Sequence, residues 1–183
     1  HGARSVAAVA GEEGITNFAV ALVEEGILLR RAGVAGDILV LHPPSDFDFP
    51  AVTDWHLTPS VTSVEHAELF SRLAGSTTLN VHAEINTGLS RLGLNWETAV
   101  DSISRIAALP NLRLAGIYTH YRAHLSPIGD SIQEQTERFG FVLDGLERLG
   151  IDPALRHAAS SYPAAYHHDS TRFDAIRVGI IAY

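Results

Sequence analysis

Short apolar runs bounded by turn residues alternate along nearly the whole chain with stretches in which apolar positions recur every three or four residues. Phe18–Val23 (FAVALV) and Asp37–Leu41 (DILVL) are aliphatic with little alternation, as expected of strands covered on both faces, and Leu79–Ile85 (LNVHAEI) reads as a further strand. His56–Val61 reads as a weaker strand, because Pro59 removes a ladder donor. Arg113–Thr119, Leu155–Ala159 and Asp174–Val178 complete the expected strands. Helical periodicity predicts Ala3–Glu13 closed by Gly14, and Glu24–Ala32 ended at Gly33, where a left-handed cap suits glycine. Thr62 with Glu65 makes a capping box for a helix to about Leu73, and Asn95 caps Trp96–Ala108, which Pro110 forbids from continuing. Ser131–Leu149 places Ile132, Phe139, Val142, Leu143 and Leu146 on one stripe and ends at Gly150. His42–Asp54, with Pro43, Pro44 and Pro50, reads as a loop.

Strands and helices that alternate in this way belong to the α/β class, with a parallel sheet under a layer of helices. The expectation is a single-domain parallel (β/α)8 barrel of the TIM type, spanning residues 1–183. A closed barrel of this kind typically takes about 250 residues, so 183 residues read as one truncated at both ends. The absence of methionine, at position 1 as elsewhere, fits a piece of a longer chain.

Composition narrows the chemistry. A formal charge of −8 repels polyphosphate and argues against nucleic acid. No apolar run reaches the roughly 18 residues of a membrane span and no signal layout opens the chain, which leads to a cytoplasmic reading. With no cysteine, thiolate nucleophiles and zinc–sulfur sites are excluded. The basic residues are thirteen arginines and no lysine, so no side-chain amine here can form a Schiff base.

In barrels of this architecture the C-terminal ends of the strands form the active face. The polar and glycine-rich stretches Asn86–Gly93, His120–His124, Ser160–Tyr162 and Gly179 onward follow expected strands and converge there. Arg91, in a loop where Gly88 permits a sharp turn, offers a guanidinium to an anionic oxygen, although an arginine in such a place is often a structural ion pair. His120 ends a strand, where it is either satisfied by backbone or turned to a ligand. Ser161 with the amides of Gly179 and Ile180 could cradle a phosphate. Arg177, a charge in an apolar stretch, either pairs with a carboxylate such as Asp174 or serves a ligand. Ten histidines, with His82, His120, His124 and His157 near strand ends, raise a metal-hydrolase alternative. The positions of His124 and of His167-His168 in loops weigh against it, and no metal site is expected.

Four motifs in order give these residues a family resemblance. VHAEINTGLSRLG at Val81–Gly93 is similar to Val-His-Leu-Lys-Ile-Asp-Thr-Gly-Met-x-Arg-Leu-Gly, and GIYTHY at Gly116–Tyr121 to Gly-Leu-x-Thr-His-Phe. HAASS at His157–Ser161 is similar to His-x-Ala-Asn-Ser, and FDAIRVGIIAY at Phe173–Tyr183 to Phe-Asp-x-Val-Arg-Pro-Gly-Ile-x-Leu-Tyr. Together they resemble the N-terminal barrel domain of bacterial alanine racemase, a fold-type III pyridoxal-phosphate enzyme.

The resemblance implies pyridoxal 5′-phosphate as cofactor, interconversion of L- and D-alanine for peptidoglycan synthesis by two bases, and a homodimer acting on a small amino acid. It implies that Arg91 meets the phenolic oxygen of the cofactor and that His120 lies against its ring. Ser161 with the amides of Gly179 and Ile180 would hold the phosphate, and Arg177 would face the pyridine nitrogen. His157 would support a tyrosine base from another subunit. Glu84 stands where many members carry a carbamylated lysine, and would orient Arg91 with the same negative charge. Ser160 for asparagine, Val178 for proline, and Tyr121–His124 (YRAH) for a small acidic stretch leave a serine or broad-specificity racemase open. A non-catalytic barrel that binds a phosphorylated molecule is a further alternative. His1-Gly2 resembles the end of the segment that carries the Schiff-base lysine, which with the C-terminal β domain and its tyrosine is expected outside this chain.

Overall fold

The computed structural model describes residues 2–122 and 131–182. His1, Ala123, His124 and Tyr183, which the motif comparison touched, lie outside the described residues. The path begins with α1 (Ala3–Glu12), β1 (Phe18–Val20), α2 (Val23–Arg31), β2 (Ile38–Val40), α3 (Phe49–Asp54), β3 (Thr58–Val61), α4 (Val64–Ala74) and β4 (Leu79–Asn86). It continues through β5 (Leu94–Asn95), α5 (Ala99–Ala107), β6 (Leu112–Thr119), α6 (Ile132–Arg148), β7 (Leu155–His157), α7 (Ser161–Tyr166) and α8 (His168–Thr171), to a 3₁₀ turn at Ile180–Ala182.

Every strand pairing is parallel, in the order β1-β2-β3-β4-β6-β7, with the short β5 beside the end of β4. The sheet curls through 223° about one axis, a barrel wall short of closure. Helices cover its outer face because the strands offer both faces to apolar neighbours: β2 and β3 are buried along their whole length. The core joins Ile38, Val61, Val81, Ala83 and Ile117 of the strands to Phe70, Ile103, Phe139 and Val142 of the helices.

Local chemistry moved several boundaries. Helix α3 lies inside the expected loop His42–Asp54. Pro50 falls in its first turn, where the missing N–H removes no helical bond. The cap of α4 is Ser63, whose Oγ accepts the His66 N–H at 3.1 Å, one residue beyond the expected Thr62. Asn95 belongs to β5, and α5 begins only after Thr98. Asp174–Val178 is not a strand: one bridge joins Ala175 to His157, while Asp174 turns its carboxylate onto the Arg156 N–H at 2.7 Å.

Candidate functional site

All strands run the same way, so their C-terminal ends share one rim of the half-barrel. The segment after β7 returns to that rim: the Arg177 N–H donates to Ala159 O at 2.9 Å, which turns the side chain across the ends of β6 and β7. The guanidinium then donates from Nη2 to Thr119 O and Ala158 O, each at 2.9 Å, and from Nη1 to His157 Nδ1 at 2.6 Å. Among the described residues no carboxylate pairs with Arg177. The expected alternative partner, Asp174, is spent on Arg156.

The contact with His157 fixes protons. Arginine can only donate, so Nδ1 accepts and the imidazole proton sits on Nε2. From there it donates to His82 Nδ1 at 3.0 Å, and the two histidines are buried together. Burial and the Arg177 charge hold His157 neutral, with its pKa pushed down to about 2. Burial does the same for His82, whose pKa falls to about 4 against the opposing field of Asp37. Gly116 makes room for this pair: a Cβ there would fall 2.5 Å from the His82 ring.

Beneath Arg177 the Tyr118 ring stacks on His157, 4.8 Å between centroids and 9° from parallel, with the guanidinium 5.1 Å above the Tyr118 ring centre. The Tyr118 hydroxyl shares a 2.9 Å bond with Ser60 and donates to Glu84 Oε2 at 3.2 Å. Glu84 is buried inside the half-barrel. Burial raises its pKa, and the bond from Tyr118 and the charges of Arg91 and Arg177 oppose the rise.

Arg91 extends from the turn after β4. Asn86 Oδ1 shapes that turn by accepting the Gly88 and Ser90 N–H groups at 3.2 and 2.9 Å. Gly93 closes it at φ 103°, where a Cβ would come within 2.8 Å of Asn86 N. The guanidinium is exposed and makes no ion pair with Glu84 among the described residues, so the expected direct orientation of Arg91 by Glu84 is replaced by a longer-range attraction. His120, half-buried, feels both Arg91 and Arg177; burial and these two charges lower its pKa to about 4. Arg91, Glu84, His120 and Arg177 therefore share one electrostatic neighbourhood.

At the end of β7, Ser161 Oγ accepts the N–H of Gly179 at 3.1 Å and of Ile181 at 3.3 Å. A Cβ on Gly179 would find only Ser161 Oγ, 3.8 Å away, within 4 Å, so the cradle is open above the glycine. No three His, Asp or Glu side chains come together as a metal site among the described residues. Ser60, Gly116 and Tyr118 were not expected in the site, and His82 only as a metal-ligand candidate near a strand end; the one signal was the polar alternation along β4, which sets His82 and Glu84 on one face.

The family described as "Alanine racemase, N-terminal domain" matches residues 1–183. An alanine racemase of Nostoc sp. is 34% identical over 190 residues, covering 100% of this chain and 48% of the relative. One from Carboxydothermus hydrogenoformans is 36% identical over 190 residues, with 100% and 50% covered. The solved alanine racemase of Clostridium difficile 630 in complex with cycloserine superposes with a TM-score of 0.93 at 30% identity, over 100% of this chain and 51% of that one. A histidine racemase from Leuconostoc mesenteroides superposes at 0.77 with 25% identity, over 98% and 48%. The chain spans about half the length of the curated relatives it matches. No described helix is long and apolar enough to cross a membrane. By its match along the whole sequence, the chain belongs to the alanine racemase N-terminal domain family.

Proposed function

We propose that this chain supplies the cofactor-binding wall of a pyridoxal-phosphate-dependent amino-acid racemase, with alanine as the substrate interconverted between its L and D forms for peptidoglycan synthesis. The observation that carries the reading is Arg177. Three of the five guanidinium N–H groups are engaged by neutral acceptors, and two have no partner among the described residues. A permanently charged donor set is thus held at the strand ends with no paired carboxylate among the described residues.

The residues fit a flat phosphorylated pyridine. Ser161 with the amides of Gly179 and Ile180 would cradle the phosphate in the space left by the missing side chain of Gly179, the Gly179 N–H exchanging its bond to Ser161 Oγ for one to the ligand. Arg177 suits the ring nitrogen, His120 the ring face and Arg91 the phenolic oxygen. When bound, the cofactor supplies an electron sink for the bond to the amino acid's α-hydrogen.

The chain's own groups act around it. Arg177 has no proton to surrender, so a pyridine nitrogen held against it would stay unprotonated and the group would supply only a weak electron sink. His157 keeps Arg177 in place through Nδ1, and the neutral His82 holds the opposite side of the same imidazole. Glu84 sets the local potential for Arg91 and Arg177 from inside the half-barrel. The sequence contains no lysine, so an amine that bonds the cofactor would come from outside these 183 residues, and the resemblance assigns the tyrosine base of a two-base mechanism there too. We further propose a homodimeric full-length protein.

The test is to supply the full-length protein with pyridoxal phosphate and L-alanine in deuterium oxide. Deuterated D-alanine supports the reading. Cofactor binding without exchange at the α-carbon favours the alternative of a non-catalytic phosphate-binding barrel. Exchange on serine or several amino acids at rates above that on alanine points to a broader racemase, a breadth of substrate that the resemblance to a histidine racemase makes concrete.

A further inference from the structure

Helix α6 reaches the rim from outside the sheet, and its first turns touch the chain just beyond His120. Gln135 is fully buried, with a relative exposure of 0%. Its Oε1 accepts the Arg122 N–H at 2.9 Å, and its Nε2 donates to Arg122 O at 3.1 Å and to Ser131 O at 3.2 Å. One side-chain amide thus reads both polar groups of a single residue, as a neighbouring strand would. Thr136, the next residue, gives its hydroxyl proton to Ile132 O at 2.7 Å and shares a 3.0 Å bond with the hydroxyl of the buried Tyr121, which can donate to it. Tyr121 and Arg122 directly follow His120, so both residues after this histidine are held by α6. One turn further on, Arg138 donates to Thr87 O at 2.8 Å and lies over the Trp96 ring, on the loop that carries Arg91.

A leucine at position 135 would fill the same space without the desolvation cost of an amide. The amide is accounted for by what it fixes. We infer that Gln135 is a positioning residue: by clamping the Arg122 peptide it holds His120 half-buried at the strand end, facing the site shared with Arg91 and Arg177. The value of this placement for cofactor binding rests on the function proposed above; the placement itself does not.

The experiment is carried out on the cofactor-free full-length protein with labelled histidine, following the His120 imidazole by NMR, its signal assigned by its loss in His120→Asn. In the wild type His120 stays neutral down to about pH 4. In Gln135→Met the loop is released, burial is relieved, and the titration moves up toward the ordinary value of about 6.5. Pyridoxal phosphate then binds about tenfold more weakly, a change of about 1.4 kcal/mol. Val142→Ala, a cavity in the same helix, lowers the melting temperature and moves neither readout.

A folded Gln135→Met protein whose His120 titrates as in the wild type overturns the inference. Should that variant not fold, Gln135→Leu removes both bonds to Arg122 at similar volume and adds no charge near His120. An upward shift of His120 then supports the clamp, and no shift refutes it. A shift of His120 with unchanged cofactor affinity supports the clamp while counting against the racemase reading, so the two fail separately.

Discussion

Arg177 Nη1 and His157 Nδ1 stand 2.6 Å apart, and this contact assigns both the tautomer of His157 and the direction of its bond to His82. The guanidinium is therefore a fixed part of the rim, and its removal has two separable consequences. Arg177→Leu leaves Thr119 O, Ala158 O and His157 Nδ1 without their donor, an expected loss of about 2–4 kcal/mol of folding stability by urea denaturation. Arg177→Glu lets the ring nitrogen of a bound cofactor take a proton. Racemisation should fall by at least about a hundredfold while the cofactor remains bound, a split seen by pairing an absorbance titration with a chiral assay.

The buried histidines make stability depend on pH in a set direction. His82 and His157 have folded pKa values of about 4 and about 2, below the unfolded value of about 6.5. Below pH 6.5 the unfolded chain binds protons that the folded one refuses, so stability is lost on acidification and is full above about pH 7. The slope between pH 6 and 4.5 is about 1.4 kcal/mol per unit for each of the two imidazoles. Denaturant midpoints across that range should fall accordingly, and because His120 and His66 are also held below the ordinary value and add to the slope, His82→Phe should lower it without abolishing it.

Gly116 is the point at which β6 admits the His82 ring. Gly116→Ala places a methyl group 2.5 Å from that ring, so the imidazole must leave His157. The expected cost is about 1–3 kcal/mol, with a His157 NMR signal displaced from its wild-type position. An unchanged signal would show that the strand yields instead.

Tyr118→Phe keeps the stack on His157 but removes the hydroxyl shared by Ser60 and Glu84. The buried Glu84 carboxyl loses its donor, so its pKa should climb further above the usual carboxylate range. A loss of about 1–3 kcal/mol in stability at neutral pH, smaller at acid pH where the carboxyl is protonated, is the measurable result. Ser60→Ala, which leaves the bond from Tyr118 to Glu84, should cost less.

Much of the fold was legible because strand and helix periods differ sharply along this chain. The runs of β1 and β2 and the α6 stripe show the two patterns: continuous apolar residues where helices cover the sheet, one stripe where a helix meets it. Helix α3 was hidden by prolines that are breakers inside a helix but neutral in its first turn. Asp174–Val178 has the composition of a strand, yet Asp174 caps the Arg156 amide and Arg177 turns across the rim, so only one bridge forms. Within the site, Arg91, His120 and Ser161 could be picked out by their place at or after strand ends, and Arg177 as a charge within an apolar stretch. The pairing of His82 with His157 could not, because it joins positions 75 residues apart through a gap left by a glycine. The clamp of Gln135 on Arg122 was equally silent, since an amide on a buried helical face carries no local signature.

The central claim is that Arg177 meets the ring nitrogen of a phosphorylated pyridine at this rim. Nitrogen-15 NMR of the full-length protein loaded with ring-labelled pyridoxal phosphate reads that contact directly. The account predicts an unprotonated nitrogen at neutral pH that becomes protonated in Arg177→Glu. A nitrogen that is protonated in the wild type, or indifferent to the substitution, would contradict it.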